Sequence, residues 1–387
     1  MKSRTQAKSV SFQLNPDSTH QNRATRGDRS KGAPLRKEEE LMNLCNCTQP
    51  LDDEQFARFC QLVADKTLDI NYYDSSKLTP LLRLCLMQES DQLYDCVKEL
   101  LKRPDLDVNK RDSGTCWNAL AMACRHHQSN NLLKIVLLLL EKDIDVHVTD
   151  EFGDNAIMVL CANYKHDDLI HIVRLLVERG IDLNLTKVKL GWNAMVYLCY
   201  NYSGANLVDI VSLLLDHESK VNLEGNRNDN ALTAACASYN HESLIKVVRL
   251  LLQHEIDVNW VNPVLQCNAL LTLSYSRFDG NNLINIVSEL LDAGIERNSA
   301  DCYGWNCLLV LAKKHRKHRD FVNIMRLLFQ KGISINHQSV YDHLAITAGS
   351  NVAHLLCRLG EENKLLTFVR FLKGETELNW KIKDNYF

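Results

Sequence analysis

The 387-residue chain has no stretch of 18 apolar residues, and runs such as Ile135 to Leu140 are far too short to cross a bilayer. Its opening residues, Met1 to Ser9, lack the apolar segment of a secretory signal, so export by that route is not expected. Also missing are a phosphate-binding Gly-x-x-x-x-Gly-Lys-Ser/Thr loop, a dinucleotide-binding Gly-x-Gly-x-x-Gly, a Gly-x-Ser-x-Gly elbow and a His-Glu-x-x-His helix. No catalytic residue and no cofactor are therefore expected. Cys45 with Cys47, and His315 with His318, are spaced like metal ligands, but neither pair has a second pair at a zinc-site spacing, so no metal is assigned.

What the chain does have is an uneven charge. A net charge of -3 combines residues 1–37, with nine Lys/Arg against two Asp, and a remainder near -10. Almost without large apolar residues, the first 40 residues cannot offset ordering entropy by burial and are expected to form a disordered basic tail.

Beyond the tail the sequence repeats. Asn118, Asn155, Asn193, Asn230, Asn268 and Asn306 each open an apolar block, about 38 residues apart. From Asn118, the apolar positions Leu120, Ala123 and Cys124 have helical spacing, and Asn is a good N-cap because its side-chain oxygen accepts from an orphan backbone N–H. After a polar stretch, Leu132, Ile135, Val136, Leu139 and Leu140 predict a second helix with one apolar face. Gly180, Gly294 and Gly332 stand just past three such second helices, where a left-handed C-cap suits glycine. Asp150 with Gly153, and Asp301 with Gly304, predict tight turns before the next Asn. Cys85, Cys124, Cys161, Cys199 and Cys236 share one place in successive repeats; a repeated place implies a repeated packing role, so reduced, buried thiols are expected. Units of this period cannot bury their apolar faces alone and must stack.

These features together resemble the ankyrin repeat family: two short antiparallel helices, a Gly or polar stop, an exit such as Ile181 to Asn184, and an Asp-x-x-Gly turn. Thr79, Pro80 and Leu81 are closest to that family's usual helix opening. Two departures stand out. The period is about 38 rather than 33, and the usual Gly-His where the helices join is absent, so a longer loop must replace that turn. The expected fold is an all-α ankyrin-type helical repeat solenoid with short turn or hairpin segments between repeats. Residues 41–76 form a degenerate capping unit, 77–336 seven ankyrin-like repeats, 337–380 a looser repeat with an insertion, and 381–387 a tail.

The resemblance implies a non-catalytic scaffold or adaptor that binds partner proteins along a concave groove lined by turn tips and first helices. The residues at those places here are Trp117, Phe152, Asp154, Leu190, Trp192, Arg227, Asp229, Leu265, Tyr303 and Trp305 around the turns, and Arg125, Tyr200, Tyr275 and Lys313 near the ends of first helices. Exposed aromatic side chains with Arg have the composition of binding hot spots. The same tryptophans could instead stiffen the stack by packing on the neighbouring turn, and the two roles are compatible. A second class, binding of nucleic acid or another acidic surface through the basic tail and the run Lys313 to Arg319, is disfavoured by the acidic body. A substrate-receptor role in a ubiquitin ligase would need a recruiting motif, and residues 1–76 and 381–387 show none. A monomer in the cytoplasm or nucleus, with partner proteins, is the expectation.

Overall fold

A computed structural model describes residues 36–47, 49–86, 92–223, 228–278, 280–335, 337–339 and 351–358. The expected disordered tail lies, except for its last residues, outside them, as does most of the looser C-terminal unit. A leading helical pair comes first, α1 (Lys37–Cys45) and α2 (Asp53–Ala64). The boundary expected after residue 40 therefore falls inside a helix, and Lys37 is tied to Asp65 at 2.6 Å. Seven further pairs follow: α3 (Pro80–Leu86) with α4 (Leu93–Leu100), α5 (Ala119–His126) with α6 (Leu132–Leu140), α7 (Ala156–Asn163) with α8 (Leu169–Glu178), and α9 (Ala194–Asn201) with α10 (Leu207–Asp216). The last three are α11 (Ala231–Ser238) with α12 (Leu244–Gln253), α13 (Ala269–Tyr275) with α14 (Leu283–Asp292), and α15 (Cys307–Lys314) with α16 (Phe321–Gln330). A final α17 (Val352–Arg358) packs on α15. The described residues contain no β-strand beyond isolated bridges such as Thr149 with Asn155.

Each first helix packs on the first helices before and after it, and each second helix on its own neighbours, so two parallel rows form one elongated core. The first helices are short and are buried almost all round, as in Ala119 to Cys124 of α5 and Ala156 to Cys161 of α7. Small side chains such as Ala231, Ala234 and Ala235 in α11 let these backbones come close. Second helices keep one wet side and bury Leu, Ile and Val, as at Leu169, Ile172, Val173 and Leu176 of α8. First helices contact one another more extensively than second helices do, so theirs is the more closely packed row, termed the inner row below. The repeated cysteines occupy this core: Cys85, Cys124, Cys161, Cys199 and Cys236 are buried, free thiols. Burial raises their pKa, to about 12 for Cys85, Cys199 and Cys236, which keeps them protonated and unreactive.

Two asparagine systems hold the repeats. The opening asparagine does more than cap its helix. Asn118 Oδ1 accepts from the Ala121 N–H at 3.2 Å while its Nδ2 donates to the Asp145 carbonyl at 2.7 Å, locking the start of the repeat to its exit. The same pair of bonds is made by Asn155, Asn193, Asn230, Asn268 and Asn306. Asn351 likewise caps α17 through the His354 N–H. A second set joins one repeat to the next. Asn71 Nδ2 donates to the Asp105 carbonyl, and Asn71 Oδ1 accepts from the Asp107 N–H. Asn109, Asn184, Asn222 and Asn259 repeat this two-bond rung. Asn71 thus couples the leading pair to the first full repeat, and Arg103 adds bonds to the Val63, Asp65 and Leu68 carbonyls. At position 147 the ladder residue is an exposed histidine.

Backbone geometry repeats as well. Gly180, Gly294 and Gly332 have φ of 73°, 83° and 83°, as expected, whereas Asp143, Glu218 and Glu255 hold the same place with φ of 53°, 64° and 59°. Those three repeats adopt the left-handed stop without glycine, at a conformational cost of about 1 kcal/mol each.

Candidate protein-interaction site

The tips of the turns form a wall along the inner row. Neighbouring tips touch through the backbone or through side chains: the Val188 N–H donates to the Phe152 carbonyl at 2.9 Å, Asn228 Nδ2 to the Leu190 carbonyl at 3.3 Å, and Trp260 Nε1 to the Asn228 carbonyl at 2.7 Å. In five of the described turns a buried or half-buried Asp or Asn (Asp74, Asp112, Asp150, Asn262 and Asp301) collects backbone N–H groups, as Asp150 does for Phe152 and Asp154, and Asp301 for Tyr303 and Trp305, whereas the turn at Val188 has Lys187 in that place. The tip side chain is thereby pushed outward on a rigid loop.

The tryptophans correct the expectation of exposed aromatic groove residues. Trp117, Trp192 and Trp305 are 5%, 7% and 0% exposed. Each follows a left-handed or glycine turn residue, so its side chain folds back under the turn. Trp192 lies edge-on to Tyr197, with centroids 5.4 Å apart, and 5.2 Å from the Tyr200 ring. Trp117 meets His126 edge-on at 6.5 Å. Their geometry is that of packing residues which stiffen turn against helix.

The other anticipated positions divide in two. Phe152, Leu265 and Tyr303 are exposed apolar side chains, and Leu190 is half-buried against the core. Asp154 is buried and bonded to Lys187 at 2.6 Å; burial raises its pKa, and Lys187 opposes that rise. Asp229 is half-buried and accepts from Asn262 at 2.9 Å, with burial again raising its pKa. The Tyr275 hydroxyl donates to Asp301, and Lys314 lies 5.7 Å from the Tyr275 ring centroid. Arg125 and Lys313 are half-buried at the ends of α5 and α15. Arg227 lies outside the described residues. The structure thus sets Tyr200 against Trp192 and Tyr275 against Asp301 of the following turn, and removes the tryptophans and Asp154 from the surface.

Sequence reasoning missed two sets. Val188 and Val264, 67% and 58% exposed, extend the apolar tip row; an apolar residue at the crest of a polar turn was the available signal. It also missed a row of rings nine residues after the opening asparagine: His127, Tyr164, Tyr202, Tyr239 and His315, all buried. Tyr164, Tyr202 and Tyr239 donate to the carbonyls of Ser129, His166 and Gly204 in the preceding repeat, and His315 Nε2 is 3.1 Å from the Ser274 carbonyl. This row replaces the Gly-His turn and accounts for the longer junction loop. In the basic run, His318 Nε2 also faces a carbonyl, that of Gly280 at 3.4 Å, so both histidines of this run belong to the junction. Burial lowers His127 to about 4, against the opposing pull of the Cys85 and Leu84 backbone, and so keeps it neutral.

The family model described as ankyrin repeats (3 copies) matches residues 84–187, 120–224 and 158–262. With helix pairs and asparagine-capped openings recurring through the matched residues, the chain is an ankyrin-repeat protein. Such repeats are generally protein–protein interaction modules and typically non-catalytic. No curated protein matches the sequence. None of the described helices is long and apolar enough to cross a membrane.

Proposed function

We propose that this chain is a non-catalytic interaction scaffold that holds a partner protein against its inner face, with the turn tips as primary contacts. The observation that carries this reading is the set of exposed apolar residues at four turn tips, in two neighbouring pairs: Phe152 and Val188, then Val264 with Leu265 and Tyr303. Apolar exposure on rigid loops marks interaction surfaces, and loops on a stiff scaffold are the usual place for binding residues. Repeats about 10 Å apart present these contacts at a spacing that an extended or helical segment can follow. The cytoplasm or nucleus remains the proposed site of action, since the reading needs reduced thiols in the core.

The test is a random-peptide display selection against the full chain. Selected peptides should lose at least tenfold in affinity with Phe152→Ser combined with Val188→Asp, and retain it with Leu137→Ser, which removes an exposed apolar residue from the second-helix row. Failure to select any binder, or equal loss with Leu137→Ser, would end the reading.

A further inference from the structure

The row of rings that closes the junctions is interrupted between Tyr239 and His315. Nine residues after Asn268 stands Arg277, and the ring comes one place later, at Phe278, which is buried but has no hydroxyl to donate to the preceding repeat. Beside it, between the ends of α11 and α13, lies a cavity of about 360 Å³. Ser238, Tyr239 and Asn240 line one side, and Tyr275, Arg277 and Phe278 the other.

No acidic side chain lines this cavity, one cation does, and a second stands against its Tyr275 wall. Arg277 is exposed and makes no ion pair or hydrogen bond among the described residues. Lys314, exposed at the end of α15, holds its amine 5.7 Å from the Tyr275 ring centroid and meets no acid there. The described acids of the surrounding turn and junctions are engaged elsewhere. Asp301 is buried and accepts the Tyr275 hydroxyl, Asp320 lies 3.5 Å from Arg319, and Glu242 accepts from Asn281 at 3.4 Å. Asp279 lies outside the described residues. Two unpaired positive charges at one acid-free hollow favour a doubly charged anion over a single carboxylate. A phosphate monoester carries about -1.5 to -2 at pH 7 and three acceptor oxygens. Arg meets such a group as a planar fork and Lys as a point charge, and the exposed Ser238 hydroxyl and Asn240 amide add neutral donors.

We propose that this hollow binds a phosphorylated side chain carried on a segment of a partner protein. Arg277 and Lys314 hold the phosphate, and the rings of Tyr275 and Phe278 flank the carbon atoms that bear it. The site is separate from the turn tips and does not depend on the docking reading above. A continuous polymer of phosphates is the poorer fit, because the preceding junctions present Asp167, Asp168 and Glu242, which repel a strand that runs beyond the cavity.

The test is fluorescence anisotropy on the full chain at about physiological salt, where exposed charges act over only about 8 Å. The probes are two degenerate peptide pools, one with a central phosphoserine and one with a central phosphotyrosine, each beside its unphosphorylated counterpart. At least one phosphorylated pool should bind at least tenfold more tightly than its counterpart, and which pool does so identifies the residue. That gain should be lost in Arg277→Glu and in Lys314→Glu but kept in Lys246→Glu on the outer α12. Ser238→Trp, whose new ring fills the cavity, should abolish the gain while leaving both cations in place. These variants change exposed side chains, and where a melting curve shifts, Arg277→Gln or Lys314→Gln takes the place of the charge reversal. Equal binding of phosphorylated and unphosphorylated pools, or phosphopeptide binding indifferent to Arg277→Glu or to Ser238→Trp, would overturn the proposal. So would tighter binding of polyuridylate or of phosphatidylserine vesicles than of either pool. Whatever display-selected peptides do at the tips, these outcomes judge this site alone.

Discussion

The first-helix row and the second-helix row are made from the same repeat, yet they differ in what they leave exposed. Second helices bury one face and offer water a mixture of acidic, basic and amide side chains, the ordinary condition of an amphipathic helix. First helices bury nearly everything, so the inner row has little helical surface left, and its chemistry passes to turn tips and helix ends. Residues near the tips are therefore divided sharply. Those directly before the opening asparagine are locked in the core, and those at the crest face outward with little structural work to do.

That division is broken or sharpened by substitution. The largest effect is expected at Trp305→Ala, because a fully buried indole leaves a cavity between turn and helix; about 4 kcal/mol of unfolding free energy should be lost in urea titrations. A loss below ~1 kcal/mol would mean that the tryptophan row does not stiffen the turns. Asn193→Ala should follow at about 3 kcal/mol, since one change removes the cap on the Val196 N–H and strands the Lys220 carbonyl.

Acid should expose the ring row. His127 titrates near 4 when folded and near 6.5 when unfolded, so as pH falls the unfolded chain takes up the proton first. Its contribution to stability is whole above pH 6.5 and declines between 6.5 and 4, by about 2 to 3 kcal/mol. Comparing urea midpoints of the natural chain and His127→Phe across that window should show a flatter profile in the variant. Parallel profiles would remove His127 from the account.

A smaller gain is expected from His147→Asn, which would restore the missing rung to the Gly180 carbonyl and the Asp182 N–H. Stability should rise by about 1 kcal/mol, and an unchanged melt would show that the ladder is geometric rather than energetic. Smallest of all is Val188→Ser at an exposed crest, expected within about 0.5 kcal/mol of the natural chain.

Much of this arrangement was legible in the sequence, for stated reasons. Asn at the head of an apolar block announces a cap, and the i, i+3, i+4 spacing of Leu120, Ala123 and Cys124 announces a helix, because both depend on local chemistry. The second bond of each opening asparagine, 27 or 28 residues away, depends on how the repeat closes and has no local signature. Trp117, Trp192 and Trp305 were placed correctly in the repeat and misjudged in exposure. A turn position is exposed only if its side chain points outward, and the left-handed or glycine residue at 116, 191 and 304 aims the next one in. Tyr164, Tyr202 and Tyr239 carried a periodic signal, but within junctions that read as polar.

The central claim, that the tips rather than the tryptophans meet the partner, is most directly tested by hydrogen–deuterium exchange of the full chain with and without the tightest display-selected peptide. Added protection in residues 150–154 and 186–191 and at the ends of α5 and α9, with α8 and α10 unchanged, is the result the account predicts. Protection confined to α8, α10 and the other second helices would contradict it.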